Sequence, residues 1–282
     1  MRIFILSILA LSFFGCSTKV PCNCKCPKCP KDESKVFIYN EPEIIAYKDK
    51  EPKKYKEPKQ ATQAQIYYKK QVDYVQTKAT PYWGKKAQVA SKFNYVKYAK
   101  DFKARTIINF ENGVIRVETT DTANPLRTLK EVIASTLLNT QNPETIDLFS
   151  SRHTIHVGEP FLFNRVKDHD GEPIRWEWRA NRYAQHLIDT KLKKDTIRTG
   201  VGVKKRYYVT FAMKQDNYST NSNLNYASIV KEQAKRFGLD SALIFALIET
   251  ESHFNPFATS AIPAYGLMQV VPHSAGRDAW KF

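Results

Sequence analysis

The sequence predicts an α+β amino-terminal domain followed by a mainly α carboxy-terminal domain. Three observations carry this. Asn112-Gly113 lies between alternating apolar runs, Asn124-Pro125 leads a stripe of apolar residues at helical spacing, and two punctuated helical segments follow a polar divider at residues 216–223. With 282 residues, 42% hydrophobic and 12% aromatic, the chain can build a core in one large domain or two small ones.

Residues 1–15 have the form of an export signal: Arg2 precedes an apolar run to Phe14 that is too short to span a bilayer. Gly15-Cys16 closes the run, and the pattern resembles a bacterial lipoprotein signal in which Cys16 becomes the lipid-bearing first residue. Phe13 stands where leucine is usual in that pattern, and an ordinary signal peptide with a coincidental cysteine is the alternative. Ser17 resembles the outer-membrane sorting pattern, so the expected place is the outer membrane, facing the periplasm. The formal charge of +16, from 44 Lys and Arg against 28 Asp and Glu, then points away from nucleic acid and toward an anionic wall polymer.

Residues 16–64 read as a tether, because Lys, Glu and Pro dominate and little can be buried. Cys22, Cys24, Cys26 and Cys29 crowd its start. Export favours their oxidation, and the same thiolates are also soft-metal ligands. A short Lys/Pro-rich run supplies no apolar shell to fix ligands, so no metal site is expected.

The first folded domain is read as residues 65–215. Ile66, Tyr67, Tyr68, Val72 and Val75 give a helix over residues 62–79. In residues 107–118 a two-residue Asn112-Gly113 turn sets Phe110 opposite Ile115 and Ile108 opposite Val117, with Asn109 and Arg116 on the other face. Asn124 caps a helix with Pro125 at its first position, and Leu126, Leu129, Ile133 and Leu137 form the stripe that covers the hairpin. Residues 159–166 and 206–214 read as strands. Between them residues 176–193 read as a helix with Trp178, Tyr183 and Leu187 in the core. Trp176, Trp178, Arg175 and Arg179 are either a glycan platform or core tryptophans beside solvated arginines.

Beyond the divider, a helix starting near Asn225 buries Ile229, Val230, Ala234 and Phe237 and stops at Gly238. Asp240 caps the next helix, residues 241–252, where Ile244, Leu247, Ile248 and Glu251 fall at i, i+3, i+4 and i+7. Glu251 thus extends an apolar stripe. A carboxyl drawn out of water holds its proton more readily and can deliver it as a general acid. On spacing alone a structural, ion-paired acid is an equal reading.

The motifs Glu111-Asn112-Gly113-Val114, Gly158-Glu159-Pro160-Phe161-Leu162 and Pro173-Ile174-Arg175-Trp176 resemble the amino-terminal domain of the membrane-bound lytic murein transglycosylase C family. The run Ala246-Leu247-Ile248-Glu249-Thr250-Glu251-Ser252-His253-Phe254-Asn255-Pro256, with Ser260 and Gly266-Leu267-Met268-Gln269-Val270-Val271-Pro272, is similar to the family-one lytic transglycosylases. That resemblance implies that residues 218–282 are an incomplete, lysozyme-like catalytic domain. It makes Glu251 the catalytic acid, places Ser260 and Gln269 along the sugar cleft, and sets Val271 against substrate. His253 is expected to pack or face solvent rather than to act.

Only one acidic residue, Asp278, follows Glu251, and ordinary glycosidases need two carboxyl groups at a set separation. The resemblance implies chemistry that one group can run. Glu251 protonates the oxygen between N-acetylmuramic acid and N-acetylglucosamine, then as carboxylate takes the muramoyl C6 hydroxyl proton while that oxygen closes on C1. The product is the 1,6-anhydro sugar, with no metal or organic cofactor. The resembling domains continue with further helices and an Ala-Tyr-Asn-Gly-type segment, whereas 31 residues follow Glu251 here, so the 282 residues alone are expected to be weakly active or inactive. A goose-type lysozyme-like hydrolase and a non-catalytic peptidoglycan-binding lipoprotein are the competing readings.

Overall fold

A five-stranded antiparallel sheet organises the molecule, in the order β1 (Asn94–Ala99), β2 (Ala104–Asn109), β3 (Val114–Thr119), β5 (Gly202–Ala212), β4 (Lys193–Thr199). The computed structural model describes residues 62–140, 147–152, 158–214 and 226–280. The expected signal, the tether with its four cysteines, Cys16 and the polar divider lie outside the described residues. Residues 58–282 form one compact unit.

Helix α1 (Gln63–Trp83) opens with a capping box in which Thr62 and Gln65 exchange side-chain-to-backbone bonds. It runs beyond the expected end and through Pro81. A proline three residues from a helix end removes only one bond, and Gly84, with φ of 55°, stops the helix two residues past it. A Cβ on Gly84 would sit 2.4 Å from the Arg198 carbonyl oxygen.

Strands β1 (Asn94–Ala99), β2 (Ala104–Asn109) and β3 (Val114–Thr119) form a meander. Lys100, Asp101 and Phe102, all at positive φ, turn β1 into β2. The expected register between β2 and β3 is corrected: Ile108 faces Ile115 and Thr106 faces Val117, so the loop has four residues, 110–113. Asn109 Oδ1 accepts from the Asn112 amide at 2.9 Å, which closes the loop on a side chain instead of a two-residue turn. A slip of two residues preserves which side chains share a face, so the apolar face survives.

Helices α2 (Pro125–Leu138) and α3 (Glu177–Lys191) pack on that face, where Ile108, Ile115, Val117, Leu129, Ile133, Leu187 and Val209 are fully buried. Leu126, assigned to the stripe, is instead exposed, being in the first turn beyond the sheet. Residues 159–166 are turns, not a strand. Amides of Phe163, Arg165 and Val166 bond to carbonyls three or four residues back, so they close turns instead of joining a ladder. Strands β4 (Lys193–Thr199) and β5 (Gly202–Ala212) complete the sheet, so the strand expected at 206–214 starts earlier. Trp178, assigned to the core, is 56% exposed and Trp176 60%, because both precede the turns of α3 that meet the sheet. Arg179 lies over the Trp178 ring while its Nη1 reaches Asp168 Oδ2 at 2.6 Å.

The opposite face holds α1 through Val75, Ala79 and Trp83 against Val96, Tyr98 and Ile197. Beside them lies a buried ion network. Arg105 and Arg206 both contact Glu118, and Arg206 pairs in turn with Asp195.

Helices α4 (Ala227–Phe237) and α5 (Ser241–Ser252) follow their punctuation: Gly238 is left-handed at φ 64° and Asp240 Oδ1 accepts from the Ala242 amide. Their buried faces are rotated from those expected. Ala227, Val230 and Ala234 are buried on α4 while Ile229 and Phe237 are exposed. On α5 the stripe is Phe245, Ile248 and Ser252, with Leu247 exposed. With every α5 position from Ala242 to Ile248 apolar, periodicity cannot fix the inward direction; contact with α4 and with Phe254 does.

Candidate active site

Helix α5 ends where two non-glycine residues, His253 and Phe254, take left-handed conformations at φ 48° and 60°. This reversal turns the chain before Asn255-Pro256. Asn255 is fully buried: its Nδ2 donates to the Lys92 carbonyl at 3.2 Å and its Oδ1 accepts from the Phe257 amide at 3.0 Å. The Thr259 amide reaches the Ser91 carbonyl, and His253 packs edge-on against Phe93 with ring centres 4.7 Å apart. Loop 91–93, preceding β1, is thereby stitched to the end of α5.

Glu251 stands at this junction. Its side chain is one-third exposed, and Lys92 Nζ lies 3.2 Å from Oε2. The apolar, water-poor surroundings read from helical spacing are thus replaced by a partly solvated carboxylate facing a cation. The correction follows from the rotated stripe, in which Ser252 rather than Glu251 occupies the buried position.

Ser252 Oγ lies 3.0 Å from the Ile248 carbonyl oxygen and 2.8 Å from that of Leu267. The second contact ties α5 to the loop carrying Ser260, Gln269 and Val271. Within that loop Tyr265 and Val270 exchange backbone bonds of 3.0 and 3.1 Å, and Thr259 bridges Tyr265. Gly266, at φ 73°, donates its amide to the Ala258 carbonyl; a Cβ there would meet only Pro256 O at 3.9 Å, so glycine serves the left-handed turn rather than a close approach. Ser260 Oγ turns to the Ile262 carbonyl, Gln269 Nε2 to the Gly266 carbonyl at 3.2 Å, and the Val271 carbonyl accepts from Ser274 and Gly276. These three expected substrate contacts share one loop, braced beside the turn that bears Glu251. Ser260 and Gln269 hold their own backbone.

Residues 59–223 match the family model described as membrane-bound lytic murein transglycosylase C, N-terminal domain. The chain belongs to this family. Residues 228–282, which carry α4, α5 and the braced loop, match the transglycosylase SLT domain model. The membrane-bound lytic murein transglycosylase C of Yersinia enterocolitica is 41% identical over 201 residues, covering 71% of this chain and 55% of that protein. Proteins of the same name from Yersinia pestis and Yersinia pseudotuberculosis are 40% identical over the same shares. The chain therefore spans about half the length of the curated relatives it matches. In this transglycosylase C family member the two matched segments meet through the Ser91–Lys92–Phe93 loop, through Tyr68, whose hydroxyl lies 3.3 Å from Thr259 Oγ1, and through Phe257, which packs in the main core against Tyr95 and Phe161.

The sequence gives no site role to Lys92, Ser252 or Tyr68. Ser252 was legible in principle as the i+7 partner of Phe245. Lys92 was not, since it and Asn255 meet across 163 residues of chain. Among the described residues no group of three or more His, Cys, Asp and Glu could hold a metal, and no helix is long and apolar enough to cross a membrane.

Proposed function

We propose that the protein is a lytic transglycosylase that cleaves the β-1,4 bond between N-acetylmuramic acid and N-acetylglucosamine in peptidoglycan and leaves a 1,6-anhydro end. Supporting this is the position of the Glu251 carboxyl group in the last turn of α5 and within the segment matched to the transglycosylase SLT domain. A one-third-exposed side chain lets a substrate oxygen reach it, and the braced loop beside it limits the poses a sugar can take. Glu251 then acts twice. It donates a proton to the leaving glycosidic oxygen, and as carboxylate it accepts the C6 hydroxyl proton while that oxygen bonds to C1 and the C1–O4 bond breaks. Proton count and charge balance without water. The cycle starts from the protonated carboxyl and returns to it, so before the first step Glu251 must take up a proton and part from Lys92, 3.2 Å away.

Ser260, Gln269 and Val271 would line the cleft around this reaction, and no cofactor is needed. The relatives' names call them membrane-bound, and the reading places this protein likewise, by a lipid on Cys16 at the periplasmic face of the outer membrane. Peptidoglycan strands are then its partner, and nucleic acid is not.

The test is made in cells that produce the protein from its own gene. Wall digests are compared by mass spectrometry between the native form and Glu251→Gln. A loss of Glu251-dependent anhydromuropeptides supports the proposal; products heavier by one water assign a hydrolase, and an unchanged muropeptide profile assigns binding without cleavage.

A further inference from the structure

Strands β4 and β5 continue past the rest of the sheet as a two-stranded finger. β3 pairs with β5 only over Tyr207–Ala212, so residues 202–206 pair with β4 alone. The root of the finger is fixed. Ile197 packs with Trp83 in the core under α1, and Arg206 binds Asp195 across the strand pair. Its tip is a two-residue turn, Gly200-Val201, between the paired Thr199 and Gly202, and the Thr199 hydroxyl donates to the Gly202 carbonyl at 2.9 Å. A Cβ on Gly200 or Gly202 would meet nothing within 4 Å, so the turn is not packed against another element.

This free tip is apolar. Val201 is 72% exposed and Val203 65%, the highest values for large apolar side chains among the described residues. The charges that surround them are cations. Arg198 stands opposite Val203 in the strand pair, and Lys205 follows two residues along on the same face, both exposed. On the other face Lys204 holds its ammonium 5.2 Å from the centre of the Tyr82 ring. Exposed Lys85 and Lys86 occupy the turn that follows α1, whose Gly84 lies against the Arg198 backbone. The one carboxylate in residues 193–205 is Asp195, and Arg206 already pairs with it. An apolar tip ringed by cations matches a bilayer with anionic headgroups: the valines enter the headgroup–acyl boundary, while the longer side chains reach the phosphates. An anionic polysaccharide would engage the cations but offers the two valines no apolar partner.

We propose that the β4–β5 tip is a membrane-docking finger, which sets Val201 and Val203 into the surface of an anionic phospholipid bilayer with Arg198, Lys204 and Lys205 on the phosphates. It is a second contact with lipid, apart from the anchor proposed on Cys16, and it does not depend on the reaction at Glu251. An anchor at one chain end leaves a folded unit free to turn. A docked finger fixes which side of the unit faces the bilayer.

The experiment mixes the protein, purified from cells that process it natively, with vesicles of phosphatidylcholine alone or with added phosphatidylglycerol, and follows hydrogen exchange by mass spectrometry. Amides of residues 200–203 are expected to exchange about fivefold more slowly with the anionic vesicles than with the neutral ones, while those of α4 do not change. Val201→Asp with Val203→Asp, and separately Arg198→Gln with Lys205→Gln, should each abolish that difference, and thermal melts check that these exposed changes leave the fold intact. In Val201→Trp, brominated acyl chains should quench emission beyond the level seen in the parent. Equal exchange of the parent with both vesicles overturns the proposal, as does a difference that survives both pairs of substitutions. So does slowing by purified sacculi but not by anionic vesicles, which would give this tip to the wall polymer. Sedimentation with neutral vesicles reports separately on the Cys16 lipid, so failure of the anchor and failure of the finger are told apart.

Discussion

Replacing Glu118 with glutamine removes the anion shared by two buried guanidinium groups. Its Oε1 lies 2.7 Å from both Nε and Nη2 of Arg105, and its Oε2 lies 3.0 Å from Arg206 Nη1 and 3.1 Å from Arg116 Nε. The side chains of Glu118, Arg105 and Arg206 are 1%, 2% and 8% exposed, so water cannot replace what is lost. Arg206 keeps Asp195, with bonds of 2.8 and 2.5 Å. Arg105 keeps only neutral partners: the Lys86 carbonyl, the Tyr98 hydroxyl and the Trp83 ring 4.1 Å away. A buried cation stripped of its counter-ion costs about 3–5 kcal/mol. For a unit of this size that lowers Tm by roughly 10 °C. Urea unfolding followed by circular dichroism, with a thermal melt, measures it. A loss below about 1 kcal/mol would refute the argument, because it would mean that Arg105 is solvated or re-paired in the variant. Adding Arg105→Met to Glu118→Gln should recover part of the loss, since the orphaned charge is then gone.

Two further outcomes follow from single side chains. Ser252→Ala leaves the Leu267 carbonyl without its bond, costs about 1–2 kcal/mol, and should speed hydrogen exchange at the Tyr265 and Val270 amides while the sheet stays protected; equal exchange would show that the loop is held without α5. Lys97, buried and bonded to the carbonyls of Asp147 and Ser150, has its ammonium lowered to about 8 by burial, against the pull of Asp147. The unfolded chain holds that proton to about 10.5, so between these values it binds more protons than the folded protein and stability rises with pH, by up to roughly 3 kcal/mol. Denaturant titrations at pH 7.5 and 10 should show this rise in the parent but not in Lys97→Met, and parallel curves would mean that Lys97 is not desolvated.

Elements whose signal is local were legible. Asn124-Pro125, Gly238 and Asp240 mark helix ends in the sequence because caps and stops act within a few residues, and the structure has those ends, although Asn124 holds the cap position without a side-chain bond to the helix. The face of β2 and β3 was also legible, though not their register, since alternation survives a slip of two residues. Direction was harder. The nearly continuous apolar run on α5 gave no preferred side, so Glu251 was placed in a stripe that Ser252 occupies. The sequence groups Trp178 with Tyr183 and Leu187 as core, but the buried face of the helix begins only at Ala180.

By itself the sequence determined where helices start and stop, which strand faces are apolar, and that Glu251 sits among residues similar to those of family-one lytic transglycosylases. Only the tertiary structure decided what surrounds that residue: Lys92 at 3.2 Å and the Asn255 bond to the loop before β1. Caps, turns and alternation are set by neighbours along the chain. An ion pair or a long-range bond depends on segments that come together only when the core closes, and no short-range pattern records which ones will meet.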